Sequence, residues 1–274
     1  MNRRRLPDLG LRPLTARSLI LSALLGSTPP RLPARALVAF GSQFDIAEGT
    51  IRTALSRMVD AGEVEVAGAV YRLGPRLRRR RASQEVALHP HHDGWDGTWW
   101  FSIVDPQRRT VAERRAYRTL MLEHRMGELR PDTWLRPANL AAPPSVDSAF
   151  LVRGSMTDRR DRAVAGELWD LDALRRSGRR LVALSEDALG WLEPGDPGVL
   201  ADTFLVSVAV VRFLRTEPLL PAAIVGTDWP PDRLRSLYEQ LQRLHSEVMR
   251  TFVNATPGNG ERPTTRVRST RILG

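Results

Sequence analysis

The chain reads as an α+β protein with an N-terminal winged helix-turn-helix, a ferredoxin-like middle domain and a small helical C-terminal domain. Three observations predict this. The stretch from Phe44 to Leu73, FDIAEGTIRTALSRMVDAGEVEVAGAVYRL, sets a short helix bearing Arg, Thr and Ser directly before two brief strands. From Trp99 onward the pattern runs strand, helix, strand, strand, helix, which is the order of a ferredoxin-like unit. The C-terminal third carries long apolar stripes at helical spacing.

The first helix is expected from Ala16, Leu19, Ile20, Ala23 and Leu24, which repeat at helical spacing behind Thr15, an N-cap residue type. Leu37, Val38 and Phe40 mark a second helix, begun by Pro33 at a position that tolerates proline. A third helix starts after Asp45, with Glu48 in its first turn. Ile51, Leu55 and Met58 or Val59 then form its buried stripe. Its opposite face carries Thr50, Arg52, Thr53, Ser56 and Arg57, side chains able to reach phosphates and base edges. Gly62 stands where a helix C-cap is expected, and Val64, Val66, Val70 and Arg72 supply a hairpin around Gly68. These elements form a winged-helix DNA-binding domain over residues 12–75.

Residues 76–94 read as a basic, His-rich linker. The run from Arg78 to Arg81 suits DNA phosphates and, equally, a solvated connector or helix end. Residues 95–180 form the ferredoxin-like domain, where dimerisation is also expected. Trp99, Phe101 and Ile103 alternate with Trp100, Ser102 and Val104 in a strand covered on both faces. A helix with Val111, Tyr117, Leu120, Met121 and His124 on one side follows. Next come segments at Thr133 to Leu135 and Ala149 to Val152, and a helix near Asp161 to Leu174. The helical C-terminal domain spans 181–254. In it Ala201, Phe204, Leu205, Val208 and Arg212 share one face, and Leu234, Leu237, Tyr238, Leu241, Leu244, Val248 and Phe252 line a longer helix. Residues 255–274 contain too few apolar side chains to form a core and are expected to be disordered.

Composition limits the chemistry. The 274-residue chain has no cysteine, which excludes disulfides, thiol catalysis and Cys-based zinc sites. All 41 basic residues are Arg, and the formal net charge is +10. Residues 1–85 contain 15 Arg against 7 Asp or Glu, so positive charge concentrates on the module with the reading helix. No apolar run is expected to approach a membrane span of about 20 residues, and no secretory signal is legible, so a cytoplasmic protein is expected. His89, His91 and His92 with Asp93 lack the spacing of a preorganised metal site. Asp105 ends the first strand of the middle domain, where a metal-dependent nuclease could carry a carboxylate, but an acidic residue before Pro106 is also an ordinary turn former. No nucleophile elbow, phosphate loop or HExxH motif is present, so no catalytic residue, metal site or cofactor is assigned and no enzyme is expected.

Five ordered motifs resemble the PaaX family of bacterial transcriptional repressors: TARSLILSALLG, GTIRTALSRMVDAGEVE, GWDGTWWFSIVD, WLRPANL and PLLPAAIVGTDWPPDRLRSLYEQL. The resemblance covers roughly residues 12–252. It implies the three-domain fold, with a middle domain similar to the CRISPR spacer-acquisition nuclease fold. It also implies a homodimer on an inverted-repeat operator in double-stranded DNA, and repression relieved by an acyl-coenzyme A effector, phenylacetyl-coenzyme A for the type members. Two departures stand out. The wing is shortened to Val66-Ala67-Gly68-Ala69-Val70-Tyr71, leaving Arg72 as the nearby side chain for a minor groove, and the His-rich segment before Gly94 does not map onto the family pattern. Thr50, Arg52, Thr53, Ser56, Arg57 and Arg72 are the expected DNA-binding residues. An effector pocket would draw on Trp95, Trp99, Trp100, Arg114, Arg118, Trp134 and Arg136, although for any single Trp core packing is the more expected role. The alternatives are a family member governed by a protein partner and, more remotely, a metal-dependent nuclease.

Overall fold

In the computed structural model, residues 6–255 are described except 12, 28, 91–93, 106–108 and 158–159, and within one helix residues 79, 80, 83, 84, 86 and 87 are described by backbone alone. The N-terminal module runs α1 (Ala16–Gly26), β1 (Arg31–Pro33), α2 (Ala34–Ser42), α3 (Glu48–Asp60), β2 (Val64–Ala67) and β3 (Val70–Leu73). Thr15 caps α1 as expected, in a capping box: its hydroxyl accepts from Ser18 N at 3.2 Å, and Ser18 Oγ accepts from Thr15 N at 2.8 Å. The strands pair antiparallel in the order β1-β3-β2, with Gly68 at φ +61° in a two-residue hairpin turn. This is the expected winged helix.

The basic stretch expected to be a linker is instead a helix, α4 (Pro75–Leu88). Pro75 begins it at a helix-compatible position, and Leu77 and Leu88 fall on one face, the first packed on the winged-helix core and the second on the C-terminal core. Arg81 lies on that face. Its guanidinium donates to Leu25 O at 2.8 Å and Ser27 O at 2.9 Å, satisfying carbonyls at the end of α1.

The middle module contains β4 (Thr98–Val104), α5 (Val111–Glu123), β5 (Gly127–Arg130), β6 (Thr133–Pro137), β7 (Ala149–Ser155) and α6 (Asp161–Leu168). Its antiparallel sheet has the order β5-β6-β4-β7, the strand order of a ferredoxin-like sheet. The second helix follows β7 instead of joining β6 to β7, and the expected Asp161 to Leu174 helix is two helices broken at Trp169-Asp170. Strand β5 carries no apolar alternation that would have marked it in the sequence. Gly127 is required there because a Cβ would lie 2.8 Å from Leu168 Cβ.

The C-terminal module comprises α7 (Leu171–Leu192), a short 3-10 turn at Pro197–Val199, α8 (Leu200–Leu214), α9 (Ala222–Val225) and α10 (Pro230–Ala255). Pro197–Leu214 has a mean hydropathy of 1.7 over 18 residues, so one segment does reach the length and apolarity of a membrane span. It is mostly buried here, as the central helix between α7 and α10. On α10 the buried stripe takes in His245, with Leu244 half-buried.

Three of the five sequence motifs meet in one core: Trp99 and Leu135 from the sheet pack with Leu220, Ile224, Val225 and Trp229. Leu219 sits at φ +57°, a strained backbone for a leucine. Asn139 Nδ2 holds its carbonyl at 2.8 Å, and the buried Glu217 carboxylate accepts from its amide at 2.9 Å. Glu217 also pairs with Arg235, itself nearly buried. The winged helix shares a second junction with the C-terminal module, where Phe40 meets Phe204 edge to face at 4.8 Å.

Candidate nucleic-acid interface

The exposed face of α3 is built from behind. Ile51, Leu55 and Met58 are 0–2 % exposed and anchor the helix to α1 and α2. A Cβ on Gly41 would stand 2.7 Å from Ile51 Cγ1, so α2 and α3 approach at a distance that only glycine allows. Gly41 was not apparent as a site residue in the sequence, because nothing local distinguishes it from any other helix-end glycine. At the far end Gly62, at φ +65°, turns the chain out of α3 into the wing.

With the apolar stripe inward, Thr50, Arg52, Thr53, Ser56 and Arg57 are all exposed on α3. Thr50, Thr53 and Arg57 line a shallow groove whose other wall is Thr15, Ala16 and Arg17 at the start of α1. The arginines are not equivalent. Arg52 is held by Glu48 one turn back at 2.7 Å, and Arg17 by Glu63, with its Nε at 2.8 Å. Arg57 has no acidic partner among the described residues. In the wing, Arg72 is tied to Glu65 on the paired strand at 2.8 Å, and Arg78 reaches the same carboxylate at 3.4 Å. The hairpin tip folds back onto the module, with Ala69 O accepting from Ala34 N at 2.9 Å at the start of α2. Of the basic run, Arg78 and Arg81 are engaged in these intramolecular contacts, and the side chains of Arg79 and Arg80 lie outside the described residues.

The middle-domain candidates do not converge. Trp99 is fully buried on one face of the sheet, its Nε1 donating to Asp161 at 2.7 Å, whereas Trp134 and Trp100 belong to the core on the other face. Arg118 pairs with Glu128 and lies over Trp134 at 5.5 Å. Trp95 donates to Thr98 O at 2.7 Å, and Arg114 lies on the exposed side of α5. Buried Arg136 reaches the carbonyls of Pro137 and Ala141, and desolvation pushes its pKa down to about 10. Among the described residues no group of three or more His, Asp or Glu side chains is placed to hold a metal ion. His89 lies between Glu85 and Glu239, while His91, His92 and Asp93 fall outside the described residues. Asp105 directly follows β4, its amide donating to Ser148 O at 2.9 Å.

Comparison with known proteins places this architecture. Residues 15–77 match the family model for PaaX-like protein, and residues 169–255 match that for the PaaX-like protein C-terminal domain. The solved structure of the uncharacterized protein Rv0674 from Mycobacterium tuberculosis superposes with a TM-score of 0.71 at 34% identity, covering 87% of this chain and 98% of that one. No curated protein matches. With both terminal modules matched and the whole architecture shared, the chain belongs to the PaaX-like family of transcriptional regulators.

Proposed function

We propose that this chain is a sequence-specific DNA-binding regulator that reads its operator with α3, acts as a homodimeric repressor and is released by an acyl-coenzyme A. The observation that carries the reading is the exposed row Thr50, Thr53, Ser56 and Arg57, standing on a helix whose other face is locked into the core. Hydroxyls and an arginine without an acidic partner are the groups that bind phosphates and base edges. The short wing, with Arg72 held by Glu65, leaves α3 as the main reading element. The dimer forms through β7, an edge strand whose Phe150 is 64% exposed beside exposed Val152 and Ile103. A two-fold dimer would present two reading helices to an inverted repeat. The test is a gel shift on the DNA upstream of the protein's own gene, at fixed salt with competitor DNA, with and without phenylacetyl-coenzyme A. Specific binding released by the ligand supports the whole reading. Binding indifferent to it supports a regulator governed by a protein partner, and no specific binding refutes the DNA-reading role of α3.

A further inference from the structure

A cleft of about 330 Å³ opens between the winged helix and α10. One wall comes from the end of α1, β1 and the start of α2, the other from the C-terminal half of α10, with Phe204 of α8 contributing from below. Its interior is apolar, formed by Ala36, Phe40, Phe204 and Met249 among others. Three exposed arginines line it, Arg31 and Arg35 from the winged helix and Arg250 from α10, and among the described residues no carboxylate does. None of the three has an acidic partner among the described residues. The adjoining groove between α4 and α10 differs, since its arginines are interleaved with Glu85, Glu239 and Glu247. His245 also lines the cleft, buried beneath its surface and bonded through Nδ1 to Thr203 Oγ1 at 3.2 Å.

Like charges gathered around an apolar hollow without counter-charge are relieved by an anion, and arginine binds carboxylate and phosphate oxygens through its paired N–H groups. We infer that this cleft binds an amphiphilic anion, an apolar acyl or aryl group seated on Phe40, Phe204 and Met249 with its negative head held by Arg31, Arg35 and Arg250. The volume lies at the low end of small-molecule sites and suits the acyl body alone, so the head is either a free carboxylate or the phosphate-bearing remainder of a thioester lying along the arginines. Because the two walls belong to the DNA-reading module and to α10, a ligand that prefers one spacing of them shifts the module against the rest of the protein. That consequence rests on the regulator reading proposed above; the binding site does not.

The test uses the full-length protein without DNA, so its outcome is independent of operator binding. Thermal denaturation is followed with phenylacetate, octanoate, phenylacetyl-coenzyme A, octanoyl-coenzyme A and free coenzyme A, and affinities are measured by calorimetry. A saturable rise in Tm of several degrees with the acids identifies the carboxylate head. The same rise with the thioesters alone identifies the coenzyme head. In either case the double variant Arg35→Ala/Arg250→Ala, at exposed positions, should weaken binding at least tenfold, and Ser246→Trp on the exposed lip of the cleft should abolish it. The proposal is overturned if none of the acyl compounds stabilises the protein, if free coenzyme A does so equally well, or if stabilisation survives both variants.

Discussion

Acidification should destabilise this protein through His245, and the size of the effect follows from its burial. The imidazole is almost completely enclosed between Phe40, Phe204 and Thr203, and desolvation pushes its pKa down to about 4. The unfolded chain presents a histidine that titrates near its ordinary value of about 6.5. Between these two pH values the unfolded state binds the extra proton, so folding stability falls as pH drops. The contribution is fully present above pH 6.5, declines as the pH falls toward 4 and levels off below that. A gap of about 2.5 pK units corresponds to about 3 kcal/mol in total, of which about 2 kcal/mol is lost between pH 7.5 and 5.0. For a chain of this length that amounts to a Tm decrease of about 4–8 °C. The assay is differential scanning calorimetry of the wild type and His245→Asn at both pH values. Asparagine keeps a polar atom toward Thr203 and does not titrate, so the other ionisable groups cancel in the difference. His245→Asn should be less stable at pH 7.5, having lost the ring contacts, yet lose less on acidification by about 4–8 °C. Equal losses in both proteins would show that the ring takes up its proton without unfolding and would refute the argument from burial.

On α3, Arg57→Ala should weaken operator binding by about 1–3 kcal/mol if the side chain reads a base, measured by gel shift. Arg52→Ala should cost less, because Glu48 already holds that guanidinium; a larger loss from Arg52→Ala would reverse the ranking. Gly41→Ala would drive a methyl into Ile51 and should cost about 1–3 kcal/mol of stability by overpacking, while displacing α3 enough to reduce DNA affinity. Denaturant midpoints and gel shifts that both match the wild type would show that the contact is not tight. Glu217→Gln should destabilise by about 1–3 kcal/mol, because it removes the buried carboxylate from Arg235, leaving the exposed Asp232 as its acidic partner, and weakens the hold on the strained Leu219. A change in chemical denaturation below about 1 kcal/mol would mean that water already solvates the pair.

The winged helix was legible because its signals are local. Thr15 directly before the apolar repeat of α1, the Ile51-Leu55-Met58 spacing, and glycines at 62 and 68 each specify a cap, a face or a turn within a few residues. What stayed hidden depends on contacts made far along the chain. The α4 helix was masked by its arginines, whose charges break an apolar pattern even though Arg81 buries its stem and serves the end of α1. The apolar spacing puts Leu244 on the stripe of α10 and passes over His245, whereas the turn of the helix brings His245 to the buried face and leaves Leu244 half-covered. The cleft has no sequence signature, since its arginines come from positions 31, 35 and 250 and meet only through folding.

In the proposed regulator, the same contacts make α2 the element through which the C-terminal bundle would act on DNA. One side of α2 meets α3 at the glycine-limited contact between Gly41 and Ile51. The other packs Ala36 and Ala39 on Val253 of α10 and sets Phe40 against Phe204 of α8. Close-packed interfaces do not deform continuously, so a shift of α10 against α2 has to move α2 or break these contacts. Movement of α2 passes to α3, because Ile51 has no room to absorb it. The arginine-lined cleft lies on the α10 side of this helix and the reading face on the α3 side, so a coupling between ligand and operator needs only one rigid helix between them.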